Sequence, residues 1–284
     1  MAAVRFIKRR VARWILCGLT PALDGSSSAV DRLLGQAVRL QLGQSTDEAF
    51  RQSLADFYRQ AVPEELAAEL RFDALRRELA APQAYKVGIV RLANGDAQAG
   101  PRSAWPARWS AWQRRFGLLY HLGVRLDILV LRRGEQIPPH GHRRIVSGFY
   151  VLEGAVACRH YDCVGEERDH LLVRQTFDRL QQPGDFSTNS ERRDNIHWLE
   201  GVAPVSYLFR VTVHDTPRPK RNRAPLGAAG LAPDRQPASI AAAAAQSDRI
   251  YVDPTGPADS SGLIRAPRIS EAIARGLRLV SGRE

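Results

Sequence analysis

Cysteine, acidic residues and long apolar runs are all scarce in this chain of 284 residues. Its three cysteines, Cys17, Cys158 and Cys163, form an odd set with no CxxC spacing. Because disulfide-built domains use paired cysteines in an oxidising compartment, this set argues against a disulfide framework. We therefore expect reduced thiols and a cytoplasmic location.

The most apolar stretch near the start of the chain, residues 14–19, is much shorter than the roughly 20 residues that a membrane helix needs. No transmembrane span is expected. Several basic residues precede the stretch, but no small-residue cleavage site follows it. We therefore interpret residues 1–26 as a basic N-terminal segment that forms an amphipathic helix rather than a signal peptide.

Positive charge exceeds negative charge, with 41 lysines and arginines against 30 acidic residues. Such a balance attracts phosphates, acidic small molecules or an anionic membrane. The excess is spread along the chain, and no zinc finger or aromatic-basic motif accompanies it, so no specific nucleic-acid partner is expected. P-loop, G-x-S-x-G and dinucleotide-binding motifs are also absent.

Residues 27–82 have the periodicity of a helical layer. Apolar residues three to four positions apart include Val30, Leu33, Leu34 and Val38. Ser45 and Glu48 form the pattern of a capping box, and Pro63 is placed like the first residue of a further helix. Each helix has one apolar stripe, so we expect the layer to pack against a β domain.

The pattern changes to alternation within residues 83–214, most clearly at Val124, Leu126, Ile128 and Val130. These residues are expected to form the β domain. Residues 215–249 are rich in proline, alanine and arginine and are predicted to be a flexible linker. Residues 250–284 are expected to return to the β domain as an edge segment and a short helix.

Two histidines in the β region, His140 and His142, alternate along one predicted strand. Alternation puts both side chains on the same face, about 7 Å apart by twice the rise per residue. A turn signal at Pro183 and Gly184 precedes a third histidine, His197. Three neutral imidazoles suit zinc, iron, nickel or copper rather than magnesium or calcium, so a metal site is predicted.

These residues resemble the cupin superfamily. Its first motif, G-x5-H-x-H followed by a later glycine, fits Gly134, His140, His142 and Gly154, and its second fits Pro183, Gly184 and His197. The resemblance covers residues 85–214 and implies a mainly β fold, the cupin double-stranded β-helix or jelly-roll barrel. It also implies that the three histidines are the metal ligands.

Ser147 stands near the position where cupins carry a metal-binding glutamate. The remaining set of three histidines resembles the thiol dioxygenases of the cysteine dioxygenase type. That resemblance implies iron(II), with zinc, nickel and manganese as alternatives, and implies oxidation of a small thiol or related small acid by O2 to a product such as a sulfinate.

Other residues are assigned through the same resemblance. The Ser-x-His-x-Tyr strand of the thiol dioxygenases appears here as Ser206, Leu208 and Arg210, so only its serine is kept and the substrate stays open. Ser206, Tyr161 and Tyr207 are the candidates for catalytic residues; apart from the resemblance, Tyr150, Tyr161 and Tyr207 could each supply a hydroxyl near the metal. The candidates for binding a substrate carboxylate are Arg159, Arg174 and Arg210.

Two other classes of function stay open at this point. One is a non-catalytic cupin that senses or binds a small molecule, and the other is an isomerase or hydrolase that uses zinc or no metal. His160 is interpreted as a hydrogen-bonded core histidine. The oligomeric state is left undetermined.

Overall fold

The computed structural model describes the N-terminal helices, the β region and a C-terminal segment. The described residues are 29–70, 72–73, 76, 88–91, 123–214, 216 and 249–279. The predicted basic segment 1–26 and nearly all of the predicted linker 215–249 lie outside them.

Three helices are described ahead of the β region, within residues 29–70: α1 (Ala29–Leu42), α2 (Asp47–Gln60) and α3 (Pro63–Glu69). Helix α3 begins at Pro63 as predicted. The cap of α2 is Thr46 rather than the predicted Ser45, because the Thr46 hydroxyl accepts a hydrogen bond from the Ala49 amide. Among the residues described, no helix combines the length and apolarity that crossing a membrane requires.

The described residues from 88 onward contain eleven strands and one short helix. They are β1 (Gly88–Arg91), β2 (Val124–Arg132), β3 (Gln136–His142), β4 (Ile145–Glu153), β5 (Val156–Glu166), β6 (His170–Gln181), β7 (Phe186–Asn189), β8 (Ile196–Gly201), β9 (Val205–His214), β10 (Arg249–Tyr251), β11 (Leu263–Pro267) and α4 (Glu271–Ala274).

These strands form two antiparallel sheets. One has the order β1-β2-β9-β4-β7, and the other has the order β10-β3-β8-β5-β6-β11. Successive strands along the chain often lie in different sheets, as in a jelly roll. The expected mainly β, jelly-roll fold with N-terminal helices is therefore confirmed.

Alternation along the strands divides each sheet into two faces. Leu129, Phe149 and Leu208 of the five-stranded sheet pack with Val156 and Leu199 of the six-stranded sheet, and this cluster is the inner core between the sheets. The alternate residues of β2 and β9 face away from it and pack against α1, α2 and α3, the helical layer. The alternation predicted for β2 thus marks the face that the helices cover.

The C-terminal segment pairs with both edges of the six-stranded sheet. Strand β10 pairs with β3, and β11 pairs with β6. Between and beside these strands, Val252 and Ile264 pack with Tyr161 and Val173 on the side of the sheet opposite the inner core. This cluster, the outer core, shows that residues 249–279 belong to the same packed unit as the β domain.

The contact between helical layer and sheet gives a first prediction. A methyl group at Gly148, on β4, would lie 2.7 Å from Leu54 Cδ2 and 2.7 Å from Tyr58 Cε2, and the Tyr58 hydroxyl donates a hydrogen bond to the Gly148 carbonyl. We expect Gly148→Ala to lower the free energy of unfolding by about 1–3 kcal/mol in urea titrations, because overpacking displaces α2.

Gly256→Ala is the matched control. Its new methyl group would find its nearest neighbour, Ile264 Cγ2, at 4.0 Å. We expect a change within about 0.5 kcal/mol. Equal effects of the two substitutions would contradict close packing of α2 on β4.

Candidate metal centre

The structure brings together the three histidines that the sequence singled out. His140 and His142 lie on β3, and His197 lies directly opposite His140 on the neighbouring strand β8. The ring centroids are 4.5 Å apart for His140 and His142, 4.4 Å for His140 and His197, and 5.2 Å for His142 and His197. One nitrogen from each ring lies within 4.8 Å of the others. We call this set the histidine triad.

Burial determines the charge state of the triad. His140 and His197 are 1% and 2% exposed, and loss of solvation lowers the pKa of both imidazoles well below the ordinary value. Nearby positive charges, including His142 and Arg249, lower the pKa of both further. Both rings are therefore neutral at pH 7, the form in which a histidine nitrogen binds a metal.

Hydrogen bonding orients the His140 ring. Its Nδ1 lies 2.7 Å from the Pro138 carbonyl oxygen, which can only accept, so Nδ1 carries the proton and donates it. In the neutral ring the lone pair is then on Nε2. A metal-binding histidine commonly donates its other ring N–H to a carbonyl in this way.

His197 has a side-chain partner from the other sheet. Its Nδ1 is 3.1 Å from Nδ2 of Asn189 on β7, and the Ser147 hydroxyl lies 2.5 Å from the other end of the Asn189 amide. Metal binding through Nε2 requires a proton on Nδ1, and a half-turn of the Asn189 amide presents its oxygen as the acceptor. Ser147 serves either amide orientation, because a hydroxyl both donates and accepts.

The donor set fits a transition metal. The triad is a group of three imidazoles without a carboxylate, which suits zinc, iron, nickel or copper. Ser147 contributes to the site through Asn189 rather than as a ligand. His140, His142 and His197 are therefore the residues that would hold the ion.

A fourth histidine extends the row across the sheet. His160 on β5 lies directly opposite His197, with ring centroids 6.2 Å apart. Its Nε2 is 3.2 Å from Cys158 Sγ, and burial lowers its pKa to about 4. As the sequence analysis interpreted it, His160 is a hydrogen-bonded core histidine, although it lies beside the triad.

Of the three arginines proposed for substrate binding, Arg210 lies on the inner side. It alternates with Leu208 of the inner core on β9, and its guanidinium donates to the carboxylate of Asp127 on β2. Asp127 is fully buried, and its second oxygen, Oδ1, has no hydrogen-bond partner among the described residues. The interior near the triad thus holds a paired arginine and aspartate.

Two proposed site residues, Arg159 and Tyr161, lie on the opposite side of the six-stranded sheet. They flank His160 on β5, so alternation turns both away from the triad. Arg159 forms an ion pair with Asp178 at 2.9 Å, and Tyr161 packs in the outer core. The structure does not bring either side chain to the triad.

The remaining proposed residues are also placed elsewhere. Arg174 is exposed on β6. The Ser206 hydroxyl donates to the Ala155 carbonyl at 2.7 Å and supports the turn between β4 and β5. Tyr207 faces the helical layer, where its ring centroid is 5.0 Å from that of Phe72.

Several residues near the triad were not singled out from the sequence. Asn189 is the last residue of the short strand β7, which has no distinctive motif, and Arg249 and Tyr251 lie at and just after the end of the predicted linker. Asp127 did have a signal, because it is a charged residue within the apolar alternation of β2. Arg210 lies directly opposite Asp127 in the sheet register, which explains why the two side chains form an ion pair in the interior.

Comparisons with known proteins concern the fold. No protein-family model and no curated protein matches the chain. Similar solved structures include a sugar phosphate isomerase of the cupin superfamily from Silicibacter pomeroyi, with 16% identity over 32% of this chain and 51% of that chain (TM-score 0.26). KdgF from Halomonas sp. has 19% identity over 35% and 72% (TM-score 0.25). Recombinant oxalate oxidase in complex with glycolate has 15% identity over 49% and 55% (TM-score 0.29).

The hydrogen bond to His197 gives a second prediction. Asn189→Leu keeps a similar volume but removes the acceptor for Nδ1, so we expect metal affinity to fall about 10- to 100-fold. Asn189→Asp keeps an acceptor and should retain the affinity. Competitive titration with a chelator measures both. Thr188→Val, a neighbour whose hydroxyl contacts Arg51 instead, is the control and should leave the affinity unchanged.

Burial of His160 gives a third prediction, for the metal-free protein. Its folded pKa of about 4 lies below the unfolded value of 6.5, so its contribution to stability is present above pH 6.5 and is lost as the pH falls toward 4. At pH 5 the loss is about 2 kcal/mol. Replacing His160 by glutamine should reduce the difference in unfolding free energy between pH 7 and pH 5 by that amount.

Urea unfolding at the two pH values measures this difference. His170→Gln changes a partly exposed histidine at the start of β6 and should keep the wild-type difference. An unchanged difference in the His160 variant would show that this imidazole is not held neutral by burial.

Proposed function

We propose that this protein is a metal-dependent oxygenase of the cupin type that oxidises a small thiol or related small acid with O2. The observation that supports it is the histidine triad, three convergent imidazoles with a serine at the position where cupins carry a glutamate. Iron(II) is the proposed metal, and His140, His142 and His197 are the proposed ligands.

His140, His142 and His197 would hold an iron(II) ion, and the ion would supply the redox chemistry between a thiol and O2 when bound. The chain supplies neutral imidazoles at pH 7, because burial keeps His140 and His197 unprotonated. Pro138 and Asn189 fix the rings through Nδ1. The protein therefore holds its donor atoms ready without having to release protons from them.

The inner core excludes water from below the triad. The Phe149 ring centroid is 5.5 Å from that of His197, and Phe149, Val151 and Leu208 are at most 1% exposed. A dry, apolar floor prevents hydrolysis and side reactions of a reactive species. Arg210, near this floor, is directed to the inside by alternation, and its side chain is 14% exposed, whereas Arg174 is exposed.

Asp127 supports a second candidate, a cupin isomerase. Proton transfer next to a metal needs a base, and Asp127 places a buried carboxylate, with one oxygen lacking a hydrogen-bond partner among the described residues, in the barrel interior. Its ion pair with Arg210 keeps the carboxylate close to that arginine. An isomerase of this kind would work with zinc and without O2.

Metal content and O2 consumption together give the fourth prediction. Protein purified without added metal should contain iron, and an oxygen electrode should record uptake that depends on one of a set of small thiols. His197→Ala removes a central ligand, so it should lose both the iron and the uptake. His170→Ala, a change of a histidine outside the triad, should keep both.

Zinc in the purified protein together with no O2 uptake for any thiol would contradict the oxygenase and favour the isomerase. Loss of uptake in His170→Ala as well as His197→Ala would show that the effect is not specific to the triad.

A further inference from the structure

We propose that Gln136 is a positioning residue that couples the C-terminal segment, residues 249–279, to the histidine triad. Through this coupling the segment regulates the site: its docking on the six-stranded sheet strengthens metal binding, and metal binding strengthens its docking. The inference rests on the proposed function in one respect, because it requires a metal at the triad. It adds the part of the chain that controls how tightly the metal is held.

The strand that carries two of the triad histidines is irregular just before them. The pairing of β3 with β8 shifts between Ile137 and His140, so a β-bulge separates the start of β3 from the triad. A bulge redirects the side chains that follow it. The direction of His140 and His142 therefore depends on what holds the bulge in place.

The C-terminal segment contacts β3 at two places around this bulge. Val252, which follows β10, donates its backbone amide to the Pro139 carbonyl at 3.2 Å, within the bulge. Ahead of the bulge, Nε2 of Gln136 donates to the carbonyl oxygens of Arg275 at 2.8 Å and of Leu277 at 2.6 Å, just after α4. The segment thus supports the part of β3 that directs its histidines.

Gln136 also contacts the strand of the third triad histidine. Its Oε1 accepts a hydrogen bond at 2.9 Å from the indole nitrogen of the fully buried Trp198, which follows His197 on β8. The side chain therefore uses two donors and its acceptor at once. A polar network in which every member is satisfied favours a single arrangement. One amide thus joins the end of α4 to both strands of the triad.

Two further contacts connect α4 and the residues after it to the same strands. The Glu200 carboxylate on β8 accepts a hydrogen bond from the Leu279 amide at 3.1 Å. At the start of α4, Glu271 is hydrogen-bonded to the Tyr251 hydroxyl, and the Tyr251 ring centroid is 5.6 Å from that of His140. The short helix is therefore linked to the triad at both of its ends.

The segment is attached as one unit across the outer side of the sheet. Strand β11 pairs with β6, Val252 forms a bridge with Arg268, and Val252 and Ile264 pack in the outer core. Units of this size can open locally without global unfolding. Opening would remove the support of the bulge, and a metal at the triad would oppose opening. By linkage the two effects are equal in size.

Chelator competition with cobalt(II) measures the effect of the segment on the metal. Gln136→Met keeps a similar volume but removes the three hydrogen bonds, so we expect cobalt affinity to fall about 10-fold. The cobalt absorption bands, which report coordination geometry, should change as well. Arg265→Gln, in the same segment, loses a surface ion pair with Glu167 and should bind cobalt as the wild type does.

Hydrogen exchange measures the effect of the metal on the segment. Saturating cobalt should slow exchange of the β11 amides about 10-fold in the wild type and less than about threefold in Gln136→Met. Two strands, β5 and β6, separate β11 from the nearest triad strand, so the metal does not contact it directly. Amides of α1 report global unfolding and should slow less than about twofold.

Tyr251→Phe is a second, milder variant that keeps the proposal testable if Gln136→Met does not fold. It keeps the ring beside His140 and removes the hydroxyl that holds Glu271. We expect cobalt affinity to fall about threefold, as for the loss of one hydrogen bond. The cobalt-dependent slowing at β11 should decrease by the same factor.

The outcomes separate the two proposals. If cobalt slows β11 no more than α1, the coupling is overturned, and the same holds if Gln136→Met and Tyr251→Phe bind cobalt as the wild type does. Because neither measurement involves turnover, coupling without O2 uptake would contradict the oxygenase and leave the coupling standing. Uptake without coupling would do the reverse. A wild type that binds no cobalt overturns both.

Discussion

The position of β8 between β3 and β5 is the constraint on which the site depends. It sets Tyr251, His140, His197 and His160 in one row across four neighbouring strands. A shift of β8 by one residue would turn His197 to the outer side, where Trp198 is buried now and donates a hydrogen bond to Gln136. Burial of Trp198 and its hydrogen bond to Gln136 therefore fix the register of β8 that directs His197 to the triad.

Burial of the triad would link stability to metal binding. Adjacent buried imidazoles must stay neutral, since a charge on one is disfavoured by desolvation and by the others. A divalent ion that binds only the folded state uses their lone pairs and shifts the equilibrium toward that state. The inner core around Phe149 desolvates the rings and would keep water from an ion held by them.

Local patterns predicted the grouping of the three histidines well, because alternation alone puts His140 and His142 on one face and His197 follows a clear turn. Strand alternation was not applied when Arg159 and Tyr161 were chosen as candidates from the sequence. A strand that directs His160 inward must direct Arg159 and Tyr161 outward. The outward direction of Arg159 and Tyr161 could have been predicted from the sequence. The contact of Asn189 with His197 could not, because it depends on how the two sheets face each other.

The C-terminal segment could not be placed from the sequence, because nothing in its pattern specifies which edge it joins. Its strands cover both edges of the six-stranded sheet, where unpaired backbone groups would otherwise invite another chain. On β10 alternation then separates two roles. Ile250 packs on the outer core and secures the strand, while Arg249 and Tyr251 face the triad. Attachment to the outer core and placement beside the triad thus fall on alternate residues of one short strand, so substitution can change one of them without loss of the other.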